Sequence, residues 1–539
     1  MRRIVKNFIS ITLLSLIFSV NSFAQSKEFK AGQSLEIQYN ILKELQQNYV
    51  DSIKFDKMVK EGIDAMLESL DPYTEYITEE NDDQIELMTT ATYGGIGALI
   101  KKVDSLGVVI SQPYFGSPAV KYGLEPGDII LKINGEDVKP LSADKCSSKM
   151  KGQPGTEVVF LVKKARSGEI KEIKITRERV HISDVSYSGM YNNSIAYIKL
   201  DAFSVGGAED VRKALLSLKE KGAKKLVLDL RGNGGGVMEE AIDIVSLFVN
   251  KGTTVVSSKG RSPEFLKTYK TTKEPVDTLI PLMVLVNSGS ASASEIVAGA
   301  IQDLDRGVIM GTRSFGKGLI QGFQSVGYGG KLKFTIAKYY TPSGRCVQSL
   351  DYSNRNADGS VGNVPDSLKK AFKTLKGRTV YDGGGITPDT IINTLPYSRP
   401  AVSLVVNDII GDYAIKYYAK HDSIGPIKDF KLSNEQYQDF VEYASKREFD
   451  SRSAAQVLVD QIIKASKTED LYEIYKTEFD ALEKKLCLDK KQMLIIKRNE
   501  IQPLLEEEIA NKFYFTKGRV EAIIKNDKQL IKAMEIFAK

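Results

Sequence analysis

Apolar residues near the start of the chain recur at helical spacing. Leu35, Ile37, Ile41, Leu42 and Leu45, then Met58, Ile63, Met66 and Leu67, predict helix across residues 33–70. Leu70-Asp71-Pro72-Tyr73-Thr74 ends it, because proline breaks the hydrogen-bond ladder of a helix. From residue 91 to 179 the pattern changes. Glycines multiply and short β-branched runs appear, such as Val108-Val109-Ile110, Ile129-Ile130-Leu131 and Val158-Val159-Phe160. One short apolar helix, Pro118–Tyr122, is expected among them. Residues 182–395 alternate strand and helix patterns. Residues 400–539 lose the strands and become charged and helical, with few glycines.

Two strands set the class of the third segment. Lys225–Leu230 and Leu282–Asn287 are almost continuously apolar, as strands covered on both faces are in a parallel sheet with flanking helices. Each runs into a glycine or serine turn and then a predicted helix, Met238–Val249 and Ala293–Leu304. Ligands gather at the carboxyl ends of such strands. The turns Arg231-Gly-Asn-Gly-Gly-Gly236 and Ser288-Gly-Ser-Ala-Ser292 are therefore the places where chemistry is expected. Gly307–Gly311 reads as the next strand, parallel and adjacent. Its exit loop, Thr312–Gly318, brings Lys317 to the same edge as the serine turn.

The first 24 residues read as a cleaved secretory signal. Arg2, Arg3 and Lys6 precede an apolar run from Phe8 to about Val20, and Ser22-Phe23-Ala24 is a small-x-small cleavage site. The run is too short for a comfortable membrane span. The expected location is the periplasm, where ATP is absent.

Composition narrows the chemistry. A chain of 539 residues has room for three or four domains, and 42% hydrophobic with 27% charged residues is ordinary globular chemistry. A formal charge of +6 with no dense basic stripe gives no footing for nucleic acid. Two histidines, His181 and His421, nearly exclude histidine-built zinc sites, and His181 reads as structural. Cys146, Cys346 and Cys487 are far apart and read as free, mostly buried thiols. No cofactor and no metal is expected. Gly311–Gly318 mimics a phosphate loop, but Gly318 lacks the hydroxyl that would meet magnesium, and export removes the nucleotide.

What remains is a serine at a helix start with a lysine on the neighbouring loop. Helix-start N–H groups suit an oxyanion, and an unprotonated lysine can serve as base to a serine without any histidine. Ser290, Ser292 and Ser294 all compete for the nucleophile's place on the residues alone. Each could also be a mere helix cap.

These residues carry a resemblance. Val286-Asn-Ser-Gly-Ser-Ala-Ser-Ala-Ser-Glu-Ile-Val-Ala-Gly-Ala300 resembles the nucleophile motif of the C-terminal processing (tail-specific) serine peptidases. Ser314-Phe-Gly-Lys-Gly-Leu-Ile-Gln321 is similar to their lysine motif, and Asp229–Gly236 to their oxyanion loop. Tyr339–Arg345 and Gly384–Asp389 also match, in order, across about residues 35–395. The resemblance implies Ser292 as nucleophile, Lys317 as base and Gln321 as the residue that orients the lysine. It implies an oxyanion hole from the N–H groups of Ala293 and a loop glycine, Gly235, with Glu295 and Asp303 in support. The family often has histidine where Tyr73 stands, and arginine more often than lysine where Lys151 stands; only the second departure bears on communication between domains.

Residues 91–179 resemble a PDZ domain. Gly95, Ile96 and Gly97 of Tyr93-Gly-Gly-Ile-Gly97 would hold a peptide's free carboxylate while the peptide adds as a strand. The expected architecture is an α/β, parallel-sheet (crotonase-like) peptidase core with an inserted β-rich PDZ domain and helical terminal segments. Its boundaries are 1–24 signal, 25–90 N-terminal helical, 91–179 PDZ, 180–398 catalytic and 399–539 C-terminal helical. The function it implies is a secreted serine endopeptidase that selects proteins by their C-terminal tail. The competing readings are a catalytically inactive PDZ-bearing peptide-binding protein and a nucleotide-dependent enzyme. Protein or peptide substrates with free C-termini are the expected partners, with a homodimer and an adaptor or lipoprotein partner, but neither nucleic acid nor nucleotide. Leu494, Ile495, Ile501, Leu504, Leu505 and Ile509 suit packing on the core or on a dimer partner.

Overall fold

Successive residues of the central strands face two different layers. The computed structural model describes residues 29–79, 82–103, 106–191, 194–356, 358–393 and 395–538, so the expected signal segment lies outside the described residues. The six-stranded sheet has the order Val185–Met190, Ile195–Leu200, Lys225–Asp229, Leu282–Val286, Val308–Gly311 and Thr390–Ile391. The first pair is antiparallel and every later pair is parallel. Leu226, Leu228, Leu282, Val284 and Val286 share a core with the helices Gly207–Glu220, Met238–Ser246 and Ala293–Asp303. Val227, Met283 and Leu285 belong to a second core, with Val520, Leu530, Ala533 and Met534 from the end of the chain. Both faces are dry, which is why these strands show no polar alternation. Burying each such side chain is worth roughly 1.5–3 kcal/mol.

The C-terminal segment therefore supplies one cover of the six-stranded sheet. Most of the apolar residues expected to meet the core or a partner have a different place. Leu494, Ile501, Leu505 and Ile509 are buried with Tyr413 and Phe440 in a core belonging to the helical segment itself, with Leu504 against it. Ile495 is exposed.

The chain divides into two units, Met1–Tyr76 with Gln324–Lys333, and Ile77–Phe323 with Phe334–Lys539. In the first, the expected helical stretch is two helices, 29–48 and Phe55–Glu68. Leu35, Ile37 and Ile41 are each more than half exposed.

Within the second unit, residues 98–176 form an antiparallel sheet ordered Ala98–Val103, Gly107–Pro113, Ile129–Ile133, Glu157–Lys163 and Ile170–Thr176. Two helices interrupt it, not the single one expected. Besides Pro118–Lys121 there is Ala143–Met150, whose only buried residues are Cys146 and Met150. That is too sparse an apolar pattern to read as a helix. Ser142 starts it by accepting the Lys145 N–H. The three cysteines are free, but only Cys146 is buried, and Cys487 is exposed. His181 is exposed too, 3.8 Å from Asp210, on a strand paired with Thr92–Gly95.

Candidate active site

The loops 230–236, 287–292 and 312–318 leave the carboxyl ends of three adjacent parallel strands. Side chains within them stitch them together. Asn287 Oδ1 accepts the N–H groups of Gly232 (2.9 Å) and Gly289 (3.0 Å). The Asn233 carbonyl accepts the Ala291 N–H at 3.0 Å and the Ser294 hydroxyl at 2.9 Å. The Ser290 hydroxyl donates to Leu230 O at 2.7 Å and accepts the Asn287 N–H at 3.0 Å.

Those bonds separate the three serines. Ser290 and Ser294 are fully buried and their hydroxyls hold carbonyls of the glycine loop. Ser292 is half-buried at the start of the helix Ala293–Asp303, with φ 56° and ψ −114°. A non-glycine residue in that region stores roughly 1–3 kcal/mol of strain, which surrounding structure must hold in place. The sharp turn from strand to helix is the local geometry of an exposed nucleophile.

Glu295 holds it. This carboxylate is fully buried and accepts four hydrogen bonds. Oε2 takes the N–H of Ser292 (2.9 Å) and of Lys317 (2.8 Å). Oε1 takes the Gly316 N–H (2.7 Å) and the Ser314 hydroxyl (2.6 Å). Burial pushes this carboxyl up, and the four donors push it back. From the other side, the buried Tyr339 hydroxyl donates to Lys317 O at 2.8 Å and lies 3.2 Å from Ser292 O. The peptide units of Ser292 and Lys317 are thus held by one carboxylate on their N–H side and one phenol on their C=O side. Burial, before the nearby Glu295 charge, drives the Tyr339 phenol well above its ordinary range, so it acts as a donor.

The other expected residues are placed as follows. Gln321 lies half-buried on the strand Leu319–Gly327, and its amide donates to Thr335 Oγ1 at 3.3 Å. Asp303 sits at the opposite end of the helix Ala293–Asp303 from Ser292. There it pairs with the buried Arg345 (2.9 Å) and accepts Thr341 Oγ1 (2.5 Å) and Ser343 N–H (3.1 Å), anchoring the turn after Tyr339. Ala293 is the first helical residue, whose N–H has no acceptor within the helix.

Gly235 differs from expectation. It has φ 103°, and a Cβ there would lie 2.8 Å from Ser292 Cβ and 3.0 Å from Ala293 N. Only glycine fits. Its own N–H, however, donates to Asn233 Oδ1 at 2.9 Å, so that donor is spent inside the loop. Gly235 contributes close approach and room beside the Ala293 N–H.

In the PDZ segment, Gly95, Ile96 and Gly97 lead into the edge strand Ala98–Val103, all three buried. Ile96 is 1% exposed and packs with Val108 and Ile110, so its side chain belongs to the core and does not line a groove. Burial, more than the neighbouring Tyr114, drives the Tyr93 phenol above its ordinary range.

Tyr339, Ser314, Asn233 and Asn287 were not singled out from the sequence. Tyr339 stands in a motif quoted for the resemblance, but its partners are 22 and 47 residues away, beyond any local pattern.

Comparison with known proteins adds to this geometry. A model of peptidase family S41 matches residues 194–352, and a PDZ domain model matches residues 109–164. A model described as "Probable PDZ-protease, C-terminal helical domain" matches residues 401–537. The chain is 33% identical over 404 residues to the carboxy-terminal processing protease CtpA of Bacillus subtilis, covering 70% of this chain and 85% of that one. It is 35% identical over 311 residues to a "Probable CtpA-like serine protease" of Staphylococcus aureus, covering 57% of this chain and 61% of that one. The chain thus spans less than two thirds of the length of the Staphylococcus aureus relatives. A solved structure titled photosystem II D1 C-terminal processing protease is 25% identical, covering 66% of this chain and 86% of that one, with a TM-score of 0.35.

Proposed function

The chain belongs to the C-terminal processing serine peptidases of peptidase family S41, and from that premise we propose that it is a secreted serine endopeptidase cleaving proteins chosen by their C-terminal tail. The observation that carries this reading is the shared Glu295 oxygen. It ties the backbone of Ser292 to that of Lys317 across 25 residues of sequence.

In the mechanism, neutral Lys317 Nζ takes the proton of Ser292 Oγ as Oγ attacks the scissile carbonyl carbon. The carbonyl oxygen becomes an anion beside the Ala293 N–H, at the positive end of a helix. The lysine then gives its proton to the leaving amine, the C–N bond breaks and an ester to Ser292 remains. Water, deprotonated by the same lysine, attacks that ester; the bond to Ser292 Oγ breaks, the lysine returns the proton to Oγ, and the acid is released. Gln321 orients the lysine on this reading. In the PDZ segment, a tail carboxylate would take N–H groups of Gly95, Ile96 and Gly97, and the peptide would add to the edge strand Ala98–Val103. We also read the chain as exported to the periplasm, as a homodimer, and as working with an adaptor or lipoprotein partner. Sedimentation of the full chain checks the dimer, and the N-terminus of the mature protein checks export.

The experiment compares Ser290→Ala, Ser292→Ala, Ser294→Ala and Lys317→Arg on paired peptides with free and amidated ends. Only Ser292→Ala and Lys317→Arg should abolish cleavage, because arginine stays protonated and cannot serve as base. The free-tailed peptide should be cut faster by the wild type. Substantial cleavage by Lys317→Arg overturns the Ser-Lys pair, and equal rates for the two peptides overturn tail selection.

A further inference from the structure

The first residue of the glycine loop is held by the end of the chain. Arg231 Nε lies 3.0 Å from both carboxylate oxygens of the fully buried Asp229, which also accepts the Tyr197 hydroxyl at 2.6 Å. Its Nη2 also donates to Asp229 Oδ2 at 2.5 Å and is shared with the C-terminal segment, which Nη1 reaches as well. One terminal nitrogen pairs with Asp527 Oδ2 at 2.6 Å, and the other donates to Gln529 Oε1 at 2.9 Å. Asp527 Oδ1 meanwhile accepts the Leu530 N–H at 2.9 Å, starting the last helix, which covers the catalytic sheet.

The same C-terminal segment grips the PDZ segment at its other end. Gln112 Nε2 donates to Asn511 O at 3.2 Å, and Lys512 Nζ to Ser111 O at 3.1 Å. The rings of Phe115 and Phe515 meet edge to face at 5.5 Å. Lys101 pairs with both Asp408 and Asp412 at 2.5 Å. Between these contacts and Asp527 the long helix Arg498–Asn526 is broken at Tyr514 and Phe515, where Phe515 has φ 57° and ψ −163°. A break there marks a joint between a length that touches the PDZ strand Gly107–Pro113 and a length that touches the catalytic sheet.

We propose that the Arg231–Asp527 ion pair, backed by Gln529, positions the glycine loop 231–236 against Ser292 and transmits the state of the PDZ segment to that loop. The proposal rests on the reading of Ser292 as a peptidase nucleophile. One carboxylate, Asp229, already neutralises Arg231. Asp527 adds a second carboxylate on the same nitrogen, and Lys199 Nζ, which donates to Arg231 O at 2.6 Å, supplies a second cation to the cluster, so the contact that ties the loop to the chain end is a balanced one. The loop it reaches passes so close to Ser292 that a shift of a few tenths of an ångström alters the space beside the Ala293 N–H. Arg231 and Asp527 are positioning residues, since neither touches the reacting atoms.

The test uses the full-length protein and the substitution Asp527→Ser. Serine still accepts the Leu530 N–H as a helix cap, but it is too short and uncharged to hold Arg231. Relative to wild type, kcat should fall about tenfold with KM changed less than about twofold, and the preference for free over amidated tails should shrink toward unity. Gln529→Ala should shift both in the same direction by less, and Asp527→Glu should restore most of the loss. Independently of cleavage, saturating free-tailed peptide should slow amide exchange in residues 232–236 of the wild type and leave it unchanged in Asp527→Ser. Wild-type kcat and tail preference in both Asp527→Ser and Gln529→Ala overturn the proposal. So does a kcat loss that only follows a lowered folded fraction. If cleavage survives Ser292→Ala, the peptidase reading fails instead, and the exchange response of the loop still decides the coupling.

Discussion

Replacing Glu295 by glutamine asks whether one carboxylate keeps Ser292 and Lys317, the nucleophile and base proposed above, in register. Glutamine has the same shape but one acceptor oxygen where glutamate has two. The four donors divide evenly, Ser292 and Lys317 N–H on one oxygen, Gly316 N–H and Ser314 hydroxyl on the other. The Ser314 hydroxyl can turn and accept, whereas a backbone N–H cannot. The amide NH2 therefore faces Ser314 and Gly316, and one buried N–H loses its acceptor at about 1–3 kcal/mol. The opposite orientation strands two N–H groups at about 2–6 kcal/mol and is not populated. Glu295→Gln should fold, with Tm lowered by about 2–10 °C. Tilting the lysine loop moves the base, and displacement on the scale of an ångström costs up to about 100-fold in rate. The expected kcat is about 10- to 100-fold below wild type with little change in KM. Glu295→Ala, which leaves all four donors unmet, should be worse in both respects. Steady-state cleavage of a free-tailed peptide and a thermal melt measure the two effects. A Glu295→Gln enzyme with wild-type kcat would show that the shared carboxylate has no part in aligning the site.

Three further outcomes follow from single contacts. Tyr339→Phe removes the hydroxyl bond to Lys317 O, worth about 0.5–1.5 kcal/mol, so kcat should fall a few-fold to about tenfold while Tm moves less than about 4 °C; an unchanged kcat contradicts the clamp. Gly97→Ala forces a left-handed alanine at φ 74° and a Cβ 2.4 Å from Ser117 Cβ. Free-tail preference should disappear and residues 98–176 should exchange amides faster, and intact tail preference would count against the PDZ role. Glu507 is pushed up to about 7, first by burial and then by Asp527, Glu508 and Glu506, against the pull of Arg519. The native state then keeps this proton where the unfolded chain has lost it. Its stabilising contribution is fully present below about pH 4.5 and is lost as pH rises through about 7. Glu507→Gln should flatten that decline, a gain of about 3 kcal/mol at pH 8 in urea unfolding, and an unflattened profile refutes the assignment.

Much of this arrangement was legible in the chain. Leu282–Val286 reads as a doubly covered strand because both of its faces are apolar, and both are in fact buried. Ser292 and Lys317 could be brought to one edge because parallel βα units place successive loops together. Their tie through Glu295 could not be read, since the Lys317 N–H lies 22 residues from it and a carboxylate does not announce its donors. Ile96 shows another limit. An isoleucine between glycines suits a groove and a core equally, and only packing against Val108 and Ile110 decides. The need for glycine at Gly235 was legible. The fate of its N–H was not, because Asn233 takes it through a side-chain turn that competes with any ligand. The missing cover of the sheet followed from tertiary structure alone. The three helices of the alternating segment share one core, and nothing local to residues 516–538 shows that they complete the other.

All eleven residues of the helix Ala293–Asp303 are buried, and a methyl on Gly299 would come within 2.7 Å of Thr341. This has a consequence for how such a protein can diverge. A helix enclosed on every side admits almost no substitution without a matching change in its surroundings, so its spacing from Ser292 to Asp303 is the part least free to vary. Change in what is cut must then accumulate elsewhere, in the surfaces that deliver a polypeptide to the fixed point. A laboratory library aimed at new preferences should leave 293–303 untouched and spend its diversity on the edge strand 98–103, where the proposed tail would lie.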